Sequence, residues 1–149
     1  MKNKFIHAYM DVAKRFAKLS HAKRLNVGAI VVKNDRIISI GYNGMPSGWT
    51  NDCEIVLRLD DVGTPVLQSK PEVLHAETNA IAKLAKSTES GDGADIFITH
   101  SPCIECSKLI FQSGIKRVFY AEDYRSKDGI EFLNASKINV IKVDTTTEA

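Results

Sequence analysis

The chain has little that would staple it, anchor it or steer it toward a large partner. Three cysteines among 149 residues, an odd number, do not suggest a disulfide framework. No apolar run approaches the roughly 20 residues that a membrane span requires. The start, Met1-Lys2-Asn3-Lys4-Phe5-Ile6-His7, lacks the apolar core of a secretory signal. The expected compartment is therefore the cytosol. Charge of one sign is also scarce, because 20 Lys+Arg against 18 Asp+Glu leave a net +2. Such a balance is no footprint for wrapping nucleic acid, so a small-molecule substrate is favoured over nucleic acid or membrane. There is no internal repeat and no domain boundary. Residues 1–149 read as one domain, long enough to bury a core unaided.

What the chain does contain is two short stretches of metal-binding side chains. His75-Ala76-Glu77 and Ser101-Pro102-Cys103-Ile104-Glu105-Cys106 supply one imidazole and two thiols. These are nitrogen and sulfur ligands of the kind Zn²⁺ favours, with no fourth protein ligand at matching spacing. An open position is the mark of a catalytic site; a closed zinc knuckle or coincidental thiols are the alternatives. Two thiolates neutralise the ion, and zinc brings the pKa of a bound water from about 15.7 to roughly 7. Glu77 beside it can take that water's proton and hand it to a leaving group. Residues two apart do not share a helix face, so His75 and Glu77 converge only if His75 sits at the cap, before helical geometry begins. Cys103 and Cys106 follow Pro102 and lie i,i+3 at the start of another helix, where the helix dipole favours thiolate.

Periodicity places these motifs in a fold. Phe5, Ala8, Tyr9, Val12, Phe16 and Leu19 predict an amphipathic helix over 3–19. The β-branched runs 26–32 and 36–42, split by Lys33-Asn34-Asp35, predict an antiparallel hairpin. Gly28 and Gly41 inside them mark bulges or close backbone approach. A glycine-rich turn, Gly41 to Trp49, opens a long connection to Pro71, in which 54–59 is expected to form a turn or two of helix. Helices are predicted over 73–86, 103–113 and 129–136, with strands over 94–99, 116–121 and 138–143. The polar end, 143–149, is expected to be frayed. A hairpin followed by β-α-β-α-β makes an α/β domain with a five-stranded mixed sheet and helices on both faces.

The pattern H-x-E…P-C-x-x-C resembles that of the zinc-dependent cytidine deaminase superfamily. Within it, the chain looks most like the deoxycytidylate deaminases. The likeness is carried by Val27 to Val32, Arg36 to Gly44 with Pro46 and Gly48, His75-Ala76-Glu77 with Asn79-Ala80-Ile81, Ser101-Pro102-Cys103 with Cys106, and Ser113-Gly114-Ile115.

The resemblance implies a three-layer α/β/α fold and hydrolysis of dCMP to dUMP and ammonia, feeding thymidylate synthesis. It implies one Zn²⁺ per chain on His75, Cys103 and Cys106, with Glu77 protonating N3 of the cytosine and then the departing ammonia. Asn43 would hold the deoxyribose and the Ala76 amide the base edge, with Tyr120 and Arg125 on the substrate loop. It further implies a homo-oligomer, typically a hexamer, activated by dCTP and inhibited by dTTP with Mg²⁺. Gly41, Tyr42, Asn43 and Gly44 with Arg24 are the candidate effector site. Some relatives carry a second, structural zinc, but Ala22 stands where a cysteine is expected and Cys53 reads as a small buried side chain. The rival functions are deamination of tRNA adenosine or of free cytidine, and a non-catalytic zinc-binding interaction module.

Overall fold

A two-residue turn starts the sheet. The computed structural model describes residues 1–146. After helix α1 (Asn3–Ala17), strands β1 (Gly28–Lys33) and β2 (Arg36–Tyr42) pair antiparallel. Between them Asn34 and Asp35 have φ of 52° and 59°. A type I′ hairpin turn needs that left-handed backbone at both positions, and Asn and Asp tolerate it. A second hairpin, β3 (Glu54–Leu59) with β4 (Pro65–Ser69), stands apart as its own two-stranded sheet. Then come α2 (Ala76–Ala85), β5 (Asp95–His100), α3 (Ile104–Gln112), β6 (Arg117–Glu122), α4 (Asp128–Ala135) and β7 (Asn139–Lys142). The main sheet runs β2-β1-β5-β6-β7, antiparallel across β1–β5 and parallel from β5 to β7.

Alternation along the strands divides the interior in two. Ile30, Val32, Phe97 and Phe119 face α1 and meet Met10 and Ala13, and the Phe97 and Phe119 rings stack at 4.5 Å. Ala29, Val31, Ile96, Ile98 and Val118 face the other way, onto Ala80, Leu84, Ile110 and Leu133 of α2, α3 and α4. The result is the expected three-layer α/β/α domain around a five-stranded mixed sheet. Two glycines set how closely helices lie on it: a Cβ on Gly28 would sit 2.0 Å from the Ala13 carbonyl oxygen, and one on Gly41 2.3 Å from that of Ala76. Asp95 and Arg117, neighbours at the starts of β5 and β6, form a bidentate pair at 2.6 and 2.7 Å.

Three expectations need correction. Residues 54–59 are strand, not helix, because Ile55 and Val56 belong to a β-branched run that finds a partner in Pro65–Ser69. A six-residue apolar run has no decisive period of its own. The turn between the strands is made by Asp60, whose Oδ1 accepts the Val62 and Thr64 amides at 3.0 and 2.8 Å. Helix α2 begins at Ala76, not Val73, since Val73 is held in a turn by the Lys70 carbonyl. Val143, where the predicted final strand and the predicted frayed tail overlap, is buried and its amide donates to the Tyr120 carbonyl at 2.7 Å, so it does not fray. Residues 147–149 of that tail lie outside the described residues.

Candidate active site

Both metal motifs fall where extended chain turns into helix. His75 is the N-cap of α2, with φ −77° and ψ 156°. Its extended backbone allows the ring to meet the side chain of Glu77 two residues on. The glycine-rich turn fixes this start: Gly44 and Leu74 exchange backbone hydrogen bonds at 3.1 and 2.8 Å, Asn79 Nδ2 donates to the Tyr42 carbonyl at 2.8 Å, and Gly41 lies under the first turn of α2. β5 leads straight into the second motif. Cys103 is the N-cap of α3, and its Sγ accepts the Cys106 amide at 3.5 Å.

The donor atoms of His75, Cys103 and Cys106 lie within 4.8 Å of one another, the metal-competent cluster among the described residues. His75 Nδ1 is 3.6 Å from Cys103 Sγ and 3.3 Å from Cys106 Sγ. A tetrahedral ion with Zn–S of about 2.3 Å and Zn–N of about 2.0 Å separates its ligands by about 3.5 Å, so the set fits zinc. Hydrogen bonding from the Cys106 thiol, and then from His75, holds Cys103 well below the usual thiol range, while the Cys103 thiolate pushes Cys106 upward. One thiolate thus forms readily and the second proton is the one a cation must displace. Thr78 Oγ1 approaches Cys106 Sγ at 3.8 Å, an outer contact that orients a ligand.

Glu77 lies beside this cluster, 4% exposed. Burial drives its carboxyl up from 4.5 to about 7, against smaller opposing effects of its own backbone amide and His75. A carboxyl group poised near neutrality can both accept and release protons, which general acid–base work requires.

Glu77, His75, Ala76 and Cys103 open into a cavity of about 660 Å³, whose walls also carry Asn43, Arg24, Lys70, His100, Tyr124 and Arg125. That volume suits a small ligand. Asn43 is there, but its amide is already engaged: Oδ1 accepts the Val27 amide at 2.9 Å and Nδ2 donates to the Leu25 carbonyl at 2.7 Å. One lone pair and one N–H are left for a ligand. Ser101 Oγ accepts the Tyr124 amide at 2.7 Å, tying the loop of Arg125 to the cysteine motif. His100 is half-buried and its Nδ1 meets Thr99 Oγ1 at 3.1 Å.

Tyr120 is not brought to the cavity. It lies within β6, 8% exposed, and the ring that lines the cavity is Tyr124. Both are tyrosines of one short stretch, and the sequence does not mark where β6 ends and the loop begins.

The effector group is likewise divided. Tyr42, Asn43 and Gly44 line a second cavity of about 440 Å³, together with Trp49, Cys53 and Lys83. Arg24 instead lines the first, and Gly41 is covered by α2. Cys53 is 1% exposed and its Sγ lies 3.5 Å from the Asn51 carbonyl.

Sequence reasoning missed Glu54, whose carboxylate holds the chain at Lys23 and Arg24, and Ser69 and Lys70, because the hairpin that carries them went unrecognised. Pairing Glu54–Leu59 with Pro65–Ser69 across an Asp-Asp-Val-Gly turn was the available signal.

Residues 3–122 match the family model described as the cytidine and deoxycytidylate deaminase zinc-binding region. The chain is similar to ComE operon protein 2 of Bacillus subtilis, 41% identical over 119 residues that make up 79% of this chain. It spans 59% of the length of that relative. It is 34% identical to the deoxycytidylate deaminase of Enterobacteria phage T4, covering 79% of this chain and 83% of that protein. A crystal structure of dCMP deaminase from the cyanophage S-TIM5, in complex with dCMP and dUMP, superposes with a TM-score of 0.86 at 48% identity, over 96% of this chain and 99% of that one. On these matches, and on the His75, Cys103 and Cys106 cluster with its buried Glu77, the chain belongs to the cytidine and deoxycytidylate deaminase family.

Proposed function

We propose that the protein hydrolyses dCMP to dUMP and ammonia, with one zinc held by His75, Cys103 and Cys106. The observation that carries this reading is Glu77: a buried carboxyl brought to about 7 beside the ligand cluster, in a nucleotide-sized cavity that also holds two arginines. The zinc, when bound, supplies the Lewis acidity that lets water act as a nucleophile near neutral pH.

The chain's own groups bind, orient and move protons. The Glu77 carboxylate takes a proton from the attacking water and passes it to N3 of the cytosine as the C4–O bond forms. It then carries the remaining hydroxyl proton to the exocyclic nitrogen, which leaves as ammonia when the C4–N bond breaks. One water enters for each ammonia released. Ala76 is the first residue of α2, so its amide lacks an intrahelical acceptor and can donate to the base. Asn43 meets the deoxyribose with its remaining lone pair and N–H. Arg24 and Arg125 provide charge-assisted hydrogen bonds to the 5′-phosphate.

The test is ammonia release from dCMP, CMP, dCTP, deoxycytidine and a tRNA stem-loop at equal concentration. dCMP should be used at least tenfold more efficiently than deoxycytidine, and Arg125→Glu should lower the efficiency on dCMP far more than on deoxycytidine. A faster reaction with the nucleoside or the stem-loop would overturn the substrate assignment.

The same reading extends to control. We infer a homo-oligomer, a hexamer, with dCTP raising and dTTP lowering its rate in the presence of Mg²⁺. Two observations favour this. Asn43 lines both cavities, so a ligand in the second can reposition a residue of the first. The β3–β4 hairpin leaves Ile55, Val56, Leu57, Leu59 and Val62 exposed, a surface suited to burial between subunits. Light scattering and rate measurements with each triphosphate check it; a monomer indifferent to both would defeat it.

A further inference from the structure

The chain between α1 and β1 brings Arg24 to the substrate cavity, yet it has no regular structure of its own. Ser20 and Asn26 tie its start at Ala22, and at Lys23 and Arg24 it is held by a buried carboxylate that takes no part in the proton transfers described above. Glu54, 6% exposed at the root of β3, accepts the Lys23 amide at 3.1 Å on Oε1 and 2.8 Å on Oε2, and the Arg24 amide at 3.2 Å on Oε2. Across the hairpin, Glu54 is paired in register with Ser69. Ser69 Oγ accepts from Arg24 Nη1 at 3.3 Å. The backbone and the guanidinium of one arginine are therefore both held by one cross-strand pair.

We infer that Glu54 is a positioning residue for substrate selection: through the Lys23 and Arg24 amides it places Arg24 to receive the 5′-phosphate. The inference rests on the proposed use of a nucleoside monophosphate. Its physical basis is the carboxylate's capacity to accept from two successive amides at once, which fixes the peptide plane before Arg24 and hence the direction in which its side chain leaves. Asn43 secures the other end of the segment at Leu25 and Val27, so losing Glu54 frees the Arg24 end alone. A long side chain whose root is free must be ordered by the ligand itself, and that cost falls on binding the phosphate.

The chemistry at the base lies elsewhere, on α2 and α3, and should not change. The β3–β4 hairpin thereby acquires a role in the site: it is the buttress of the phosphate end.

The experiment is steady-state kinetics on zinc-loaded protein with dCMP and deoxycytidine, for Glu54→Gln, Arg24→Gln and the double variant. Glu54→Gln keeps one acceptor oxygen but turns the other into a donor facing an amide. It should raise KM for dCMP about tenfold, with kcat and the efficiency on deoxycytidine within about twofold of the parent. Arg24→Gln should do the same, and the double variant should be no worse than Arg24→Gln alone, because both changes remove one interaction. Glu54→Asp, which keeps both oxygens, should recover part of the loss.

Additive losses in the double variant, or equal losses on both substrates, would overturn the positioning role. So would an unchanged KM for dCMP in Arg24→Gln, a result that stands even if the Glu54 variants fold poorly. No turnover of dCMP by the parent protein would instead defeat the substrate assignment on which the inference depends.

Discussion

Glu77 is a carboxyl group that the fold has removed from water, and its neighbours do not neutralise it. Glu77→Gln keeps the three ligands and the shape while removing the proton carrier. The variant should bind one zinc per chain by elemental analysis and lose about 10² to 10⁴-fold in kcat. Retained turnover with zinc bound would exclude the assigned role. The same substitution has a second effect in the protein stripped by a chelator. A carboxyl whose folded pKa of about 7 exceeds its ordinary 4.5 is favoured in its protonated form by folding. Its ionisation therefore costs stability as pH rises through that interval, and costs nothing below it. At pH 8 the chelated Glu77→Gln protein should be the more stable by on the order of 3 kcal/mol in urea unfolding, and the advantage should vanish near pH 4.5. A difference independent of pH would mean that the carboxyl is not desolvated. At this scale the sequence was informative where chemistry leaves few choices. His75 and Glu77 two residues apart could meet only at a helix cap, and His75 is one. It was uninformative where geometry depends on the exact end of a strand, as with Tyr120 and Tyr124.

Among the elements, α2 and its supporting strand carry the next expectation. A Cβ on Gly41 would meet the Ala76 carbonyl oxygen at 2.3 Å and the Ala80 nitrogen at 2.6 Å, and both are backbone atoms that cannot step aside. Gly41→Ala must lift the first turn of α2, the segment bearing Glu77 and capped by His75. It should cost about 1–3 kcal/mol of stability and weaken zinc binding at least tenfold in a competition titration. Gly28→Ala meets an equally close obstacle in α1, which carries no ligand. It should destabilise comparably while leaving zinc affinity within about twofold, and a loss of affinity in both variants would undo the distinction. The strands and helices of the main sheet were readable because each is long enough to show its period and each packs on one continuous core. The β3–β4 hairpin was not, since Glu54–Leu59 is exposed on both faces beyond its first residue. Without a buried face there is no alternation to read. What fixes that hairpin is its cross-strand pairing and the grip of Glu54 on a segment 30 residues earlier, and neither leaves a local trace.

For the molecule as a whole, the ion is a cross-link. His75 caps α2 and Cys103 caps α3, helices separated in the chain by the whole of β5. α2 lies chiefly on β2 and β1, whereas α3 lies chiefly against α4, so zinc joins two helices that the fold holds through different neighbours. Binding that belongs to the folded state alone adds stability by mass action, about 4 kcal/mol when free zinc is a thousandfold above its dissociation constant. For a domain of this size that corresponds to a fall in Tm of about 8–16 °C on chelation. Cys106→Ser should lower the starting Tm and abolish most of the further drop. Asp95→Asn is the control from the far end of the sheet. It weakens a half-buried, bidentate pair with Arg117, which should cost about 1–3 kcal/mol, yet it touches neither ligand helix. Calorimetry of Asp95→Asn with and without chelator should therefore show a lower Tm in both states and the same difference between them. If the chelation shift shrank along with the Tm, the ion and the sheet would not be independent supports, and the view of zinc as a clasp on two helix ends would fail.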